Sequence, residues 1–317
     1  MEKQSRLFIY FKIMNKKHFI TLLIIMLSTL SIQAQDFPLF TQYMYNKGGI
    51  NPGYVGVDGR ISVAVLHRSQ WVGVSGAPTT SNLSFQYPFE KAALGIELSK
   101  DDAGPVSKII GKLQFAYNLE LDYFTFLSLG VSAGIYNHAF DLNKLTIRDN
   151  ENIFTEDYNA INFDVGIGAF LYAENWYLGV STPNLNLQKV HPNNEYQLDK
   201  RLLHAYLMGG YNIDISQRSV LQPSFLIRYA DQLPISAELS INMKWSETLT
   251  TGLAYRFNSA YSLLIGINVT RKLHMGYAFD WDQSRFYKTN YGSHEAFIRY
   301  YLSTEENSAR FQSPRFF

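Results

Sequence analysis

The chain has 317 residues, with 28 Lys and Arg against 27 Asp and Glu, so its net charge is +1. This balance argues against a nucleic-acid-binding protein, which usually carries a basic surplus or stripe. The chain has no cysteine, which excludes disulfides, thiolate metal sites and cysteine nucleophiles. Aromatic residues reach 15%, while charged residues reach only 17%, below the roughly 25% of soluble domains. This composition favours an outer-membrane barrel.

Residues 1–34 have the parts of a secretory signal peptide. A basic pair precedes about a dozen apolar residues, and Ala34 supplies a small residue at the cleavage position. The apolar run is shorter than the ~20 residues that a membrane-spanning helix needs. We therefore expect cleavage after Ala34. Met14 begins a more ordinary signal than Met1 does, which suggests that 1–13 is an over-extended start.

The segment 35–59 precedes the first predicted strand and is rich in aromatic residues. Glycine and proline interrupt it, as in Asn51-Pro52-Gly53, so a regular element is not expected. Its aromatic side chains need burial. We expect this irregular segment to pack at the periplasmic mouth of the barrel described next, or inside its lumen.

From 60 to 302 the chain alternates apolar and polar residues. Leu273, Met275 and Tyr277 fall on one face, and His274 and Gly276 fall on the other. Because side chains alternate across a strand, one face is apolar and the other is small or polar. About fourteen segments have this period of two: near 60–71, 78–89, 93–100, 107–121, 125–140, 159–173, 176–182, 204–215, 219–230, 235–245, 248–258, 260–270, 272–282 and 292–302.

The predicted fold is all-β, a transmembrane antiparallel barrel over 60–302, with a tail over 303–317. Segments near ten residues suit a tilted strand that crosses a bilayer, and an even count closes an antiparallel sheet. A soluble sandwich or propeller would carry many Lys and Glu on its outward face, whereas the polar face here is mostly Gly, Ser, Ala and Asn. Aromatic residues near segment ends resemble interfacial girdles: Tyr87, Phe89, Tyr123, Phe124, Trp176, Tyr177, Trp245 and Trp281.

Connection lengths give the barrel a direction. If the N-terminus is periplasmic, the long connections near 141–158, 183–203 and 283–291 fall outside, and the alternate connections are short. Long outer loops and short periplasmic turns are typical of outer-membrane barrels. The two longest of these connections, 141–158 and 183–203, are therefore the candidate surface for recognition outside the barrel.

No motif for catalysis, cofactor binding or metal binding is convincing. Gly166-Ile167-Gly168 lies within a predicted strand and has no helix after it, so a dinucleotide loop is not expected. The histidines lack metal-ligand spacing. The one candidate catalytic cluster is formed by Ser293, His294 and Glu295. Their position at a turn-to-strand junction is the simpler explanation. We predict no enzymatic activity, no cofactor and no metal.

Charged residues of both signs lie on the face opposite the predicted lipid face. Two interpretations stay open: they line a conducting path, or they form salt bridges that brace the wall. The second is favoured because mixed signs do not make a single-sign selectivity ring. We expect a closed or plugged lumen in the isolated barrel. The lumen charges are Glu97, Asp164, Arg228, Glu238, Arg256, Asp280, Glu295 and Arg299.

The segment before the first strand carries one motif, formed by Gln42, Tyr43, Asn51, Pro52, Tyr54 and Gly56, and the first hairpin carries another, formed by Arg68, Gln70, Trp71 and Gly73. With these and further motifs, the mature chain resembles the PorP/SprF family of outer-membrane proteins of the type IX secretion system. We expect Arg68 and Trp71 to be structural anchors of the first hairpin.

The resemblance implies a non-enzymatic protein of the Gram-negative outer membrane. It implies support for the export or surface attachment of large cell-surface proteins of the adhesin or gliding type. The implied partners are outer-membrane lipid, the translocon, the periplasmic ring and lipoprotein components, and the C-terminal signal domain of a secreted cargo protein, but not nucleic acid. A passive or lipid-type transporter that uses the lumen, and a purely structural anchor, stay open as alternatives.

Overall fold

The structure is a computed structural model that describes residues 40–141, 158–185, 204–230, 233–283 and 290–302. The predicted signal peptide and C-terminal tail lie outside the described residues and stay predictions. The strands are β1 (Ser62–Ser69), β2 (Thr79–Phe89), β3 (Ala92–Ala103), β4 (Val106–Glu120), β5 (Thr125–Phe140), β6 (Tyr158–Ala173), β7 (Trp176–Asn184), β8 (His204–Tyr211), β9 (Ile213–Ser216), β10 (Ser219–Ala230), β11 (Ser236–Trp245), β12 (Leu249–Arg256), β13 (Ala260–Asn268), β14 (Leu273–Asp282) and β15 (Ser293–Tyr301).

These strands form one closed antiparallel sheet. Each strand pairs with the next one along the chain, except that β8 pairs with β10 instead of β9. β1 also pairs with β15, with Ser62 opposite Tyr301 and Arg68 opposite Glu295. β8 and β9 both pair with β10 and are two pieces of one wall strand, interrupted at Asn212. The predicted barrel of about fourteen strands is therefore confirmed. Closure gives the backbone N–H and C=O groups of the sheet hydrogen-bond partners, which lipid cannot supply.

The burial pattern follows the period-two alternation. In β13 the side chains alternate between buried and exposed, and the exposed ones include Tyr261, Leu263 and Ile265. Leu263 is 61% exposed, whereas the hydroxyl-bearing Ser262 is 4% exposed. A surface this apolar around a sheet is stable against acyl chains rather than water. The barrel wall therefore spans a membrane.

Aromatic residues occupy both ends of the outer surface. Tyr87 and Trp245 are exposed near the short turns, and Tyr261 and Trp281 are exposed at the opposite end. The expectation that Tyr177 belongs to these girdles is wrong. Tyr177 is 3% exposed, because it precedes the outward-facing Leu178 and so points into the lumen.

At one end of the barrel every connection is short: 90–91, 121–124, 174–175, 217–218, 246–248 and 269–272. The opposite end also has two short connections, 104–105 and 257–259. The three long connections that are expected at the other end lie largely outside the described residues and stay predictions.

The luminal segment, residues 40–60, lies inside the barrel. Two 3-10 turns, Tyr43–Tyr45 and Pro52–Tyr54, flank a single helical turn, α1 (Lys47–Ile50). The Asn51 side chain accepts a hydrogen bond from the amide of Gly53 at 2.8 Å and caps the second turn. Almost the whole segment is buried. In the described ranges, no helix is long and apolar enough to cross a bilayer.

Candidate functional site

A buried charge cluster holds the first residues of the luminal segment. Arg68 makes ion pairs with Asp280 at 2.6 Å and with Glu295 at 3.1 Å. The Glu295 carboxylate also accepts hydrogen bonds from the amides of Thr41 at 2.9 Å and Gln42 at 2.7 Å. The Thr41 hydroxyl donates to Asp280 at 2.6 Å. A buried carboxylate that is paired and hydrogen-bonded in this way avoids the cost of an uncompensated charge.

A second ion pair extends this cluster along the wall. Arg256 of β12 lies 2.7 Å from Glu238 of β11. It also donates to the Thr41 hydroxyl oxygen at 3.4 Å. Thr41 therefore joins two ion-pair groups from different parts of the sheet.

Amide side chains connect the middle of the luminal segment to β2 and β3. Asn46 donates to Asn82 at 2.9 Å, and Asn82 donates to Glu97 at 2.9 Å. Nearby, Lys112 lies 3.0 Å from Asp164. Lys112 thus compensates the charge of Asp164, whereas Glu97 accepts a hydrogen bond from a neutral amide.

Backbone packing against glycines holds the segment beside β5 and β6. Asn51 donates to the carbonyl of Ala169 at 3.0 Å. A Cβ atom on Gly168 would lie 2.0 Å from the Asn51 side-chain oxygen, and one on Gly130 would lie 2.2 Å from the carbonyl carbon of Pro52. Glycine at these strand positions permits the close approach. Alternate luminal glycines were the sequence signal for this contact, and the motif analysis missed it.

Lys47 is enclosed by aromatic rings. Its ammonium lies 4.9 Å from the ring centre of Tyr54 and 5.0 Å from that of Tyr177, and it donates to the carbonyl of Met44 at 2.9 Å. Burial lowers the pKa of Lys47 to about 7, and the Asp58 carboxylate opposes this shift. Burial therefore favours the neutral amine of Lys47 more than exposure to water would.

The last residues of the luminal segment have their own anchors. Arg299 lies 3.3 Å from Asp58 and also donates to the carbonyl of Tyr45. The amide of Gly56 donates to Gln86 at 3.1 Å. Gly56 has a φ of +77°, which favours glycine.

Two further predicted residues lie on the β10 side of the lumen. Tyr43 donates to the Ser224 hydroxyl at 3.1 Å. Arg228 is buried and hydrogen-bonds the side chain of Tyr206. All eight predicted lumen charges are buried in the barrel interior.

Apart from Arg68, the motif residues of the first hairpin lie in the connection 70–78. The amide of Gln70 donates to the carbonyl of Pro78 at 2.9 Å. Trp71 has a φ of +44°, and its indole donates to Asp282 of β14. Gly73 has a φ of +97°. The connection is therefore tied to the last hairpin of the barrel as well as the first.

The side chains of Ser293, His294 and Glu295 do not converge. Ser293 and Glu295 are buried, whereas His294 lies on the other face, 2.5 Å from the Tyr277 hydroxyl. Across the part of the chain that the structure describes, no group of three or more His, Cys, Asp or Glu could hold a metal ion. The luminal arrangement is suited to holding a segment in place.

Comparisons with solved structures return membrane barrels. Omp33 of Acinetobacter baumannii is 10% identical, with 77% of this chain and 100% of that chain covered and a TM-score of 0.47. The toluene transporter TbuX of Ralstonia pickettii is 9% identical, with 86% and 96% covered and a TM-score of 0.47. A FadL homologue of Pseudomonas aeruginosa is 11% identical, with 83% and 93% covered and a TM-score of 0.45. Likeness this distant carries no argument about activity.

A comparison with curated proteins gave no match. A family model described as "Type IX secretion system membrane protein PorP/SprF" matches residues 32–300. That range includes the luminal segment and nearly all of the closed barrel. The chain therefore belongs to the PorP/SprF family of type IX secretion system membrane proteins, and it is an integral β-barrel of the outer membrane.

Proposed function

We propose that this protein is a non-enzymatic component of the type IX secretion system. Through its outer loops and periplasmic face, it supports the export or surface attachment of large cell-surface proteins of the adhesin or gliding type. The observation that carries this proposal is the luminal segment, which is buried inside the barrel. With the lumen occupied, the two ends of the barrel are the surfaces left for binding.

The contacts that anchor the luminal segment support the proposal that it stays permanently inside the barrel. It bonds to β1, β14 and β15 through Thr41 and Gln42, and to β6 through Asn51. Each such hydrogen bond contributes about 1 kcal/mol, and those to charged groups contribute more. Because the segment is covalently continuous with β1, its effective concentration at these contacts is high. It therefore acts as a plug.

The outer loops at 141–158 and 183–203 are the proposed contact for the C-terminal signal domain of a cargo protein. Loops on a rigid scaffold are where recognition concentrates. The short turns present a fixed face to the periplasmic ring, lipoprotein and translocon components. The signal peptide over 1–34 directs the chain to this location.

The test combines surface detection with affinity purification. Removing 144–155 and 188–200 leaves every described strand intact, and barrels with scrambled sequences of the same length in these loops are the matched controls. We expect the deletion to reduce cargo at the cell surface while secretion components still co-purify from outer membranes. Unchanged surface cargo in the double deletion would reject the cargo role of the loops.

Single-channel recording distinguishes the plug from a passive or lipid-type transporter. A plugged barrel is expected to lack the conductance of a general porin in planar bilayers. A large, stable conductance from the intact chain would favour transport through the lumen instead.

A further inference from the structure

A shallow groove lies at the short-turn end of the barrel, in a step between two hairpins. The pairing of β3 with β4 ends at Tyr117, whereas the pairing of β4 with β5 continues to Glu120. The groove in this step has a volume of about 440 Å³ and is lined by Lys91 and residues 117–123. It is separate from the lumen contacts of the luminal segment.

The step leaves a backbone donor at the groove. The amide of Asn118 donates to the carbonyl of Lys91 at 2.6 Å. Because hydrogen-bonding direction alternates along a strand, the amide of Glu120 points to the same side. That amide has no hydrogen-bond partner among the residues that the structure describes.

Charges of both signs line the same groove. Lys91 and Glu120 are exposed, and neither forms an ion pair within the described ranges. Asp122 accepts hydrogen bonds from the amides of Phe124 at 2.8 Å and Thr125 at 2.9 Å. These bonds, that of Phe124 above all, lower the pKa of Asp122 and keep it ionised.

The groove lies at the boundary of the membrane. Leu119 and Leu121 are exposed along it, and Tyr123 is 90% exposed at its end. Exposed aromatic residues at the ends of barrel strands mark the interface between acyl chains and headgroups. The short turns of outer-membrane barrels face the periplasm, so this groove faces the inner leaflet.

We propose that this groove binds the headgroup of an amine-bearing phospholipid of the phosphoethanolamine class. The Lys91 ammonium and the Glu120 amide donate to the phosphate. The carboxylates of Glu120 and Asp122 accept hydrogen bonds from the lipid ammonium, and the acyl chains lie along Tyr117 and Leu119. A headgroup without an ammonium, or with a fully methylated one, cannot donate hydrogen bonds to the carboxylates of Glu120 and Asp122.

Native mass spectrometry of the mature barrel in detergent tests this site. The probes are phosphatidylethanolamine, phosphatidylcholine, phosphatidylglycerol and inorganic phosphate, and the variants are Lys91→Gln and Glu120→Gln. Lys272→Gln and Glu247→Gln, which change the same residue types in other short turns, are the controls. Heat-modifiable mobility on gels verifies that each variant is folded.

The intact chain and both controls are expected to retain phosphatidylethanolamine. Lys91→Gln is expected to weaken its binding about tenfold, the equivalent of about 1.4 kcal/mol. Glu120→Gln is expected to remove the preference for phosphatidylethanolamine over phosphatidylglycerol. Equal lipid retention in Lys91→Gln and Lys272→Gln would overturn the proposal, and so would retention of inorganic phosphate without lipid.

Discussion

The luminal segment meets the barrel wall through two different chemistries. Beside β1, β14 and β15, ion pairs and charge-assisted hydrogen bonds surround Thr41 and Gln42. Beside β5 and β6, the backbone around Asn51 and Pro52 packs directly against glycines. The contacts on the charged side depend on the pairing of opposite charges, and the contacts on the glycine side depend on close steric fit. The two sides should therefore respond differently to substitution.

The largest effect is expected on the charged side. Arg68→Ala leaves Asp280 and Glu295 buried without their main cation, and breaking a buried pair in this way costs about 3–5 kcal/mol. We expect a lower urea midpoint for barrel unfolding and a loss of heat-modifiable mobility. Arg218→Ala, at an exposed short turn, is the control. Unchanged mobility of Arg68→Ala would show that Arg68 is not a structural anchor.

A smaller effect is expected on the glycine side. Gly130→Ala places a methyl group against the backbone of Pro52, and overpacking of this kind costs about 1–3 kcal/mol. Gly111→Ala is the matched control, because its nearest contact would be a Leu98 side-chain carbon at 3.4 Å. The unfolding midpoint should fall only for Gly130→Ala. Equal midpoints in the two variants would contradict the close packing of the luminal segment.

The smallest effect, for a change of one pH unit, is a pH dependence at Lys47, which lies between the two sides. Its pKa is about 7 in the folded barrel and about 10.4 when unfolded, so between these values the unfolded chain binds more protons. Stability should therefore rise with pH across this window, by at most about 1.4 kcal/mol per pH unit.

Lys47→Met should remove this part of the pH slope in urea titrations of the reconstituted barrel. The comparison with the unaltered chain is needed because Asp58, Arg299, Tyr54 and Tyr177 surround the ammonium. Identical slopes in the two proteins would show that Lys47 keeps its proton throughout.

The barrel wall could be predicted from the sequence because the alternation of apolar and polar residues is a local pattern. Alternation in segments such as 272–282 assigned each side chain to one face, and closure into a barrel followed from the segment count. For Tyr177 two sequence features disagree: its position near a strand end predicts a girdle residue, whereas its parity predicts an inward side chain, and the structure follows the parity. The path of the luminal segment was not readable, since irregular backbone carries no periodic pattern.

The strands, the apolar outer face and the inward direction of the charges follow from the order of amino acids, because a period of two is set by neighbouring residues. Which charges meet depends instead on how the strands pair. Arg68 and Glu295 become neighbours when β1 pairs with β15, and the glycines acquire their role when Asn51 and Pro52 pack against them. These contacts join distant parts of the chain, and chain closure brings them together.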